Sequence, residues 1–253
     1  MSSRILRVLG LFRQRQGSWT VEEIAREMAV STSSAYRDVQ DLCRAGFLNP
    51  VTGAGYILGP AFIEYDRLTR QGDPLIQAAS APMRHLLART TQKATAILCR
   101  RYRDTVMCVH QEQGSSPHPI TAYERGSAMP LFIGASSKAV MANMEARALK
   151  RIYLDNEEEI RRSTRAATWK EFNEELRAIQ RAGYAMTIGE VAAGRIGIAA
   201  PVFAAKQVVA GVSLVLSADD VPDGKIEAFA RAVREAAEEV SEFVLHSDMF
   251  ISR

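Results

Sequence analysis

A run of hydroxyl side chains followed by a tyrosine and an arginine is the first group of residues suited to chemistry. Ser31-Thr32-Ser33-Ser34 supplies four hydroxyls, and Tyr36 and Arg37 come directly after them. Hydroxyl groups donate hydrogen bonds to phosphate oxygens and base edges. The forked guanidinium of arginine binds guanine or phosphate with two parallel bonds. Alternatively, the hydroxyls only cap a helix and Arg37 is a solvated charge, so the surrounding elements must decide.

The segments around this run predict three helices. Residues 4–13 place apolar side chains on one broad helical face. Thr20, followed three positions later by Glu23, predicts a capping box that starts a second helix over residues 21–28. After a tight turn the hydroxyl run starts a third helix, which ends at Gly46. The run therefore lies at the N-terminus of the third helix.

A short hairpin is predicted after the third helix. Phe47-Leu48 and Tyr56-Ile57-Leu58 flank Thr52-Gly53-Ala54-Gly55, a turn-forming segment. Three helices with this spacing and a hairpin are the parts of a winged helix-turn-helix, whose third helix enters the DNA major groove. We therefore expect double-stranded operator DNA as a partner. The expected DNA-binding residues are Ser31, Thr32, Ser33, Ser34, Tyr36, Arg37 and Gly55.

Composition limits the protein classes that remain. No apolar run in the 253 residues approaches the ~20 needed to span a bilayer. The first residues are too interrupted by arginine for a secretory signal, so we expect a cytoplasmic protein that does not associate with membranes. Residues 1–50 hold seven arginines and five acidic residues, so charge alone does not identify a nucleic-acid binder.

The cysteines predict reduced thiols rather than a metal site. Three cysteines without a CxxC pair are too few and too scattered for a disulfide framework. Cys108 and His110 share one face of a predicted strand, and His118 follows. Packed side chains are favoured over metal ligands at these positions. We expect no metal and no cofactor.

The remaining residues predict a larger α+β domain with an antiparallel sheet. A linker helix over 61–71 is stopped by Gly72, and Asp73-Pro74 starts the next helix, which runs through Thr90. The predicted strands are 94–100, 104–111, 120–123, 184–191, 195–203 and 208–216. The predicted later helices are 136–143, 145–154, 169–182 and 223–246. The apolar stripe of the last helix fits either the domain core or a dimer interface, and the core is favoured.

A second group of residues suits the binding of a small acid. Gly134-Ala135-Ser136-Ser137 starts a predicted helix directly after an apolar segment. A helix N-terminus offers free N–H groups and partial positive charge, which favour a carboxylate. The alternative is simple capping by Ser136. Arg125 and Arg195 are candidate counter-charges for the acid, although either is alternatively a solvated side chain.

Four strings of the sequence carry a family resemblance. They are EEIAREMAVSTSSAYRDVQDLCRAGFL with YILGP, then GSAMPLFIGASSKAVMA, RAGYAMTIGEVAAGRIGIAAPVF and VAGVSLVLSA. In this order and spacing they resemble the IclR family of bacterial transcriptional regulators. The chain departs from the family pattern at several positions: Ser137-Lys138 replaces its usual Gly-Lys, Thr187 replaces an acid, Gly197 replaces a cysteine or polar residue, and Val215 replaces a serine. The family's TPRT-like loop is only faintly visible in residues 164–168.

The resemblance implies a GAF-like effector-binding domain and a homodimer or dimer of dimers. Its cavity would be small and largely apolar, which suits a modest aliphatic or aromatic organic acid. The lining that the resemblance implies is Ile133, Gly134, Ala135, Ser136, Thr187, Gly197, Ser213 and Val215. Gly197 stands where the family has a larger residue, so extra volume is expected there; alternatively it is a close-packing glycine.

We therefore predict a transcriptional regulator whose affinity for operator DNA is changed by a small organic effector. The expected domains are 1–60, the winged helix-turn-helix; 61–72, a linker helix; and 73–253, an effector-binding and oligomerisation domain. A sensing module whose helical head binds a protein remains an alternative. An enzyme acting on a small acid is less favoured, because GxSxG, SxxK and HExxH are absent from the sequence. The glycines at 189 and 194 have phosphate-loop spacing but lack the required Lys-Ser/Thr.

Overall fold

The structure, a computed structural model, describes residues 4–14, 17–53, 55–115, 123–164, 166–222 and 224–246. The chain divides into two units, Met1–Gly72 and Asp73–Arg253. The division falls at the predicted helix stop, where the Asp73 Oδ1 accepts a hydrogen bond from the Leu75 N–H at 3.0 Å. Asp73 is thus the predicted cap of the helix that follows.

The first unit contains the predicted winged helix-turn-helix. Its elements are α1 (Arg4–Leu11), α2 (Val21–Met28), α3 (Thr32–Arg44), β1 (Leu48–Val51), β2 (Gly55–Leu58) and α4 (Ala61–Gly72), with β1 and β2 antiparallel. The capping box of α2 is confirmed: Thr20 Oγ1 accepts from the Glu23 N–H at 3.2 Å, and Glu23 Oε2 accepts from the Thr20 N–H at 2.9 Å. Ala54, which belongs to the predicted turn of the wing, lies outside the described residues.

Two local predictions for this unit were wrong. The first helix ends at Leu11 rather than at residue 13. Leu6 was expected on its apolar face but is 59% exposed, because Val8 and Leu11 supply the face that packs on the core.

The turn between α2 and α3 places Ala29 in the left-handed region, with φ 54° and ψ 48°. A residue with a Cβ is strained there by roughly 1–2 kcal/mol.

The second unit is built on an antiparallel sheet in the order β5-β4-β3-β8-β7-β6. Its strands are β3 (Ala94–Tyr102), β4 (Thr105–Gln113), β5 (Ala128–Pro130), β6 (Ala185–Ile188), β7 (Arg195–Ala204) and β8 (Gln207–Ser217). The first six residues of β3 are buried on both faces, as predicted. The architecture agrees with the expected α+β class and antiparallel sheet.

Helices cover both faces of this sheet. One face packs on two long helices, α5 (Pro74–Arg89) and α10 (Ile226–His246). The apolar stripe of α10, including Phe229, Val233 and Val240, is buried in this core, as favoured from the sequence. The other face carries four shorter helices, which are α6 (Ala135–Met141), α7 (Ala146–Asp155), α8 (Glu157–Ser163) and α9 (Trp169–Ala182). Within the described ranges, none of the helices is long and apolar enough to cross a membrane.

One short strand and one short helix of the second unit were not predicted from the sequence. β5 has three residues, and α8 buries only Ile160, so neither produces a clear periodic pattern. The predicted strand 120–123 lies mostly outside the described residues, and Tyr123 itself is not in a strand. The predicted start of the last helix, Asp223, is likewise outside them.

Candidate DNA-binding face and effector cavity

The hydroxyl run at the start of α3 has two different roles. Ser31 is the N-cap: its Oγ accepts from the Ser34 N–H at 3.3 Å and donates to the Ser34 Oγ at 3.0 Å. These two serines are therefore used to start the helix. Thr32 and Ser33 are exposed. The capping alternative is correct for half of the run, and two hydroxyls remain at the surface.

The exposed face of α3 is fixed by the residues between its surface positions. Ala35 and Val39 are buried in the core, which turns Tyr36 (51% exposed) and Arg37 outward. Among the described residues, the guanidinium of Arg37 has no hydrogen-bond or ion-pair partner. Residues four apart lie on one face of a helix, so Arg37 follows Ser33, and Tyr36 follows Thr32. Together they form a surface patch of hydroxyls, an aromatic ring and an unpaired cation.

An ion pair between two helices holds this face in position. Asp38 is buried and accepts two hydrogen bonds from Arg4, at 2.5 Å from Nε and 2.8 Å from Nη2. Such paired bonds between a guanidinium and a carboxylate fix the geometry as well as adding energy. Sequence patterns did not predict this pair because its members are 34 positions apart. The pair anchors α3 to α1.

Gly55 has a structural explanation that does not need DNA. Its φ is +90°, and a Cβ at this position would approach the backbone oxygen of Trp19 to 2.5 Å. The adjacent Tyr56 exchanges two backbone hydrogen bonds with Trp19, both at 2.9 Å. Only glycine allows the wing strand to come this close to the segment before α2.

A cavity opens on the sheet face that carries α6. It lies against α6, β7, β8 and the segment 189–194 that joins β6 to β7, and has about 540 Å³ of empty volume including its open mouth. All eight residues proposed for the lining border it: Ile133, Gly134, Ala135, Ser136, Thr187, Gly197, Ser213 and Val215. Residues not foreseen as lining are Ile97, Tyr123, Met129, Ser137, Glu190, Val191 and Ala192. The predicted burial of Ile97 on its strand could have indicated that it lines the cavity. The sequence of the loop residues contains no pattern that would have indicated the same for them.

The floor of the cavity contains a pair of buried hydroxyls. Ser136 on α6 donates to the Oγ of Ser213 on β8 at 2.9 Å, and Ser213 lies 3.5 Å from the carbonyl oxygen of Ile97. Apolar side chains surround the pair. The floor therefore offers a small polar spot within an apolar wall.

The N-terminus of α6 matches neither interpretation of the sequence, which were capping by Ser136 and free N–H groups that bind a carboxylate. Ser136 does not cap the helix, whose N-cap is Gly134 without a side-chain bond. The Gly134 N–H is not free either, since it donates to Glu190 Oε2 at 3.1 Å. α6 is also only seven residues long. A carboxylate of the chain itself thus occupies the position expected for a ligand.

Glu190 also binds a buried lysine. Lys138 is 4% exposed, and its Nζ donates to Glu190 at 2.7 Å and to Glu175 of α9 at 2.8 Å. Burial acts to lower the pKa of Lys138, but the hydrogen bonds and charges of the two glutamates outweigh it and raise the pKa overall. The lysine is therefore charged, and it ties α6, α9 and the 189–194 segment together.

The two arginines considered as counter-charges are separated by the structure. The guanidinium of Arg125 donates to the carbonyl oxygen of Val109, and Arg125 does not border the cavity. Arg195 is half-buried and does border it. Of the two, only Arg195 is placed to meet a ligand in the cavity.

Gly197 borders the cavity and is also closely packed. A Cβ there would lie 3.3 Å from both the Ala135 Cβ and the Thr187 Oγ1. The expected extra volume beside it is therefore absent, because α6 already fills that space. The cavity-lining and close-packing interpretations both hold for this residue.

The cysteines of β3 and β4 and the histidine of β4 do not form a reactive site. Burial raises the pKa of the Cys99 thiol to about 11, and it also raises the pKa of Cys108. His110 Nε2 lies 3.3 Å from Ser80 Oγ and 3.1 Å from Glu112 Oε1. A hydrolytic triad needs the serine and the acid on different ring nitrogens, but here both meet the same one.

Within the described ranges, no three His, Cys, Asp or Glu side chains group as metal ligands do. His118 lies outside these ranges.

Two family models match the chain. Residues 69–242 match the C-terminal domain of the bacterial transcriptional regulator IclR, and residues 3–51 match the IclR helix-turn-helix domain. The HTH-type transcriptional regulator KipR of Bacillus subtilis (strain 168) is 25% identical over 237 residues, which cover 92% of each chain. Both units therefore have counterparts in one kind of protein.

Solved structures share the fold over nearly the whole chain. An IclR transcriptional regulator from Alicyclobacillus acidocaldarius has a TM-score of 0.75 at 24% identity, covering 95% of this chain and 97% of its own. An IclR homolog from Microbacterium hydrocarbonoxydans, complexed with 4-hydroxybenzoate, has a TM-score of 0.72 at 21% identity, covering 96% and 98%.

Proposed function

Because this chain belongs to the IclR family of bacterial transcriptional regulators, we propose that α3 binds operator DNA and that a small organic molecule in the cavity changes the DNA affinity. The observation that carries the DNA part is the exposed face of α3, where Arg37 is an unpaired cation beside the exposed hydroxyls of Thr32 and Ser33. An unpaired guanidinium on the helix that enters the major groove is suited to bidentate contact with a guanine.

The residues of this face have separate proposed roles. Arg37 reads a base edge, while Thr32 and Ser33 donate to phosphates and Tyr36 packs against the backbone or a base. Ser31 and Ser34 act indirectly by starting the helix. Gly55 brings the wing close to α2, so its proposed part in DNA binding is to position the wing.

The cavity carries the effector part of the proposal. The cavity is compact, since its empty volume of about 540 Å³ includes the open space at its mouth. Its wall is mainly apolar, with Ser136, Thr187 and Ser213 as polar groups. A relative of this fold is complexed with 4-hydroxybenzoate, and we propose a small aliphatic or aromatic organic acid here. The eight lining residues predicted from the sequence are its proposed contacts.

We propose that two copies, or two pairs of copies, assemble on DNA. A symmetric dimer presents two recognition helices to the two halves of a palindromic site. Apolar side chains are exposed on α1 and α4, among them Leu6, Tyr65, Leu68 and Ile63, which is 75% exposed. Burying them against a second copy is favourable at roughly 25 cal/mol per Å². Since the operator lies in the cytoplasm, we expect the protein there.

Two alternatives predict different outcomes. A head that binds a protein would give no preference for any DNA fragment over random DNA. An enzyme acting on a small acid would turn the acid over, but the Ser80, His110 and Glu112 arrangement lacks triad geometry. Product analysis after incubation with candidate acids separates the enzyme from the regulator.

The test of DNA binding starts from fragments of genomic DNA selected by the full-length chain. Dissociation constants for a selected fragment are measured by fluorescence anisotropy for the wild type, Arg37→Ala and Arg177→Ala. Loss of a bidentate base contact costs about 1–3 kcal/mol per half-site, so Arg37→Ala should weaken binding at least tenfold. Arg177 is an exposed arginine of α9 and is the charge-matched control, expected to bind as the wild type does. Equal affinities for all three proteins would contradict the proposed face.

A further inference from the structure

We propose that Arg195 binds the carboxylate of an acidic effector at the mouth of the cavity, and that Glu190 keeps acids away from the end of α6. This inference rests on the proposed function, since it concerns the ligand of the same cavity. Of the positions that the sequence offered for the charge of the ligand, it selects Arg195 and excludes the end of α6.

Two of the donors at the end of α6 are already used. The Gly134 N–H and the Lys138 Nζ both bind Glu190, at 3.1 and 2.7 Å, and Lys138 is shared with Glu175 at 2.8 Å. Two carboxylates around one ammonium leave a net negative charge at this spot. A ligand carboxylate placed there would be repelled by this charge, and neither of these two donors would be free to bind it.

Arg195 is the cation that remains available to the cavity. It lies on β7 two residues before Gly197, so both side-chain positions are on the same face of the sheet. Among the described residues, its guanidinium has no carboxylate within 4.0 Å and no hydrogen-bond acceptor. A half-buried, unpaired guanidinium binds a carboxylate with two parallel charge-assisted bonds.

The two ends of the cavity differ in how deeply their residues are buried. Ser213 and Ile97 are almost fully buried, whereas Arg195 is half-buried and Val191 is exposed. The cavity thus runs from a charged mouth to an apolar floor with one polar spot. The register pairs Ser213 with Ala199, four residues along β7 from Arg195. At about 3.3 Å per residue this is roughly 13 Å, which an arginine side chain and a one-ring ligand span together.

The geometry therefore defines a ligand class. The ligand is a monocarboxylate with a compact apolar body, and a hydroxyl at the far end can reach the Ser136–Ser213 pair. The apolar body would contact Ile97, Met129 and Val215. A dicarboxylate is disfavoured, because its second charge would enter the apolar floor without a partner.

The experiment compares acids with their neutral amides. Benzoate and 4-hydroxybenzoate are paired with benzamide and 4-hydroxybenzamide, and affinity for the full-length chain is measured by calorimetry. The wild type should bind each acid at least tenfold more tightly than its amide. Arg195→Gln should remove this preference by weakening the acids about tenfold or more while leaving the amides unchanged. Arg195→Lys should recover part of it, and Arg177→Gln, an exposed control, should behave as the wild type.

The role of Glu190 is tested in the Arg195→Gln background. Adding Glu190→Ala should restore part of the acid affinity, because the Gly134 N–H and Lys138 then become available to the ligand. Melting temperatures of all variants show whether the fold is kept. If acid affinity is not restored in a folded double variant, Glu190 does not exclude acids.

Other outcomes overturn the Arg195 assignment. An unchanged preference for acids in Arg195→Gln, or amides that bind the wild type as tightly as acids, contradicts it. Failure of all four probes to bind the wild type contradicts the ligand class. If Arg195→Gln loses the acids but no bound acid changes DNA affinity in the wild type, the proposed regulatory function fails and the Arg195 assignment stands.

Discussion

Replacement of Lys138 by methionine tests the ion-pair network that builds one wall of the cavity. Lys138→Met keeps a similar side-chain length and removes the charge. In the wild type the ammonium is 5% exposed and is hydrogen-bonded to Glu175 at 2.8 Å and to Glu190 at 2.7 Å. The substitution leaves two carboxylates facing each other without the cation between them. The stability of the second unit should therefore fall.

The magnitude follows from the burial of the two glutamates. Removing one member of a fully buried ion pair costs about 3–5 kcal/mol, because the other charge is stranded. The side chains of Glu175 and Glu190 are 35% and 25% exposed. Water can therefore solvate them once the lysine is gone, which reduces the cost. We expect the free energy of unfolding of the second unit to fall by about 2 kcal/mol.

Urea unfolding followed by tryptophan fluorescence measures this change. The chain has two tryptophans, and a Trp19→Phe background leaves Trp169, which packs against Tyr153 and Phe172, as the reporter of the second unit. Lys170→Met, at an exposed position, is the matched control and should lie within about 0.5 kcal/mol of the parent. A Lys138→Met protein as stable as this control would show that the ion pairs of Lys138 do not stabilise the second unit.

The pH dependence gives an independent check on the same network. The folded chain raises the pKa of Lys138, so the lysine holds its proton more tightly when folded than when unfolded. Its contribution to stability is therefore fully present below the usual lysine pKa of about 10.4 and is lost as pH rises through the higher folded pKa. Lys138→Met should lack this alkaline loss.

Two glycine-related substitutions in the first unit have predictable effects on unfolding, followed by Trp19 fluorescence. Gly55→Ala should destabilise the first unit by more than about 2 kcal/mol, because left-handed strain adds to a 2.5 Å contact with the backbone oxygen of Trp19. A Cβ at Gly53 would meet nothing within 4 Å, so Gly53→Ala should cost only about 1–2 kcal/mol of left-handed strain. Equal losses of stability in the two variants would contradict the contact at Gly55. Ala29→Gly should stabilise by about 0.5–1 kcal/mol, since relief of strain at φ 54° exceeds the added backbone entropy; a loss of stability would show that the turn is not strained.

Local signals account for the parts of the fold that could be predicted. Thr20 and Glu23 form their capping box, and Asp73 starts its helix, because these hydrogen bonds join residues two to three positions apart. Apolar periodicity likewise placed α9 and the buried stripe of α10. The exposed positions of α3 followed from the burial of Ala35 and Val39 on its other side.

The parts that could not be predicted depend on distant partners. Glu190 meets Gly134 across 56 positions, and Arg4 meets Asp38 across 34. No periodic pattern encodes either contact. The packing of Gly197 against Ala135 likewise depends on how closely α6 approaches β7. These contacts decide which groups of the cavity remain free for a ligand, so family resemblance located the cavity but not its charge arrangement.

We propose that a ligand in the cavity of the second unit changes DNA binding by the first. The most direct measurement is the dissociation constant of the full-length chain for its selected genomic fragment, with and without a saturating concentration of the acid that binds most tightly. A coupling of about 1–3 kcal/mol, typical of such systems, predicts at least a fivefold change in affinity for the wild type. At the same acid concentration, too low to saturate its weakened site, Arg195→Gln should show a much smaller change. An affinity that is identical with the cavity empty and with the cavity filled would contradict the account.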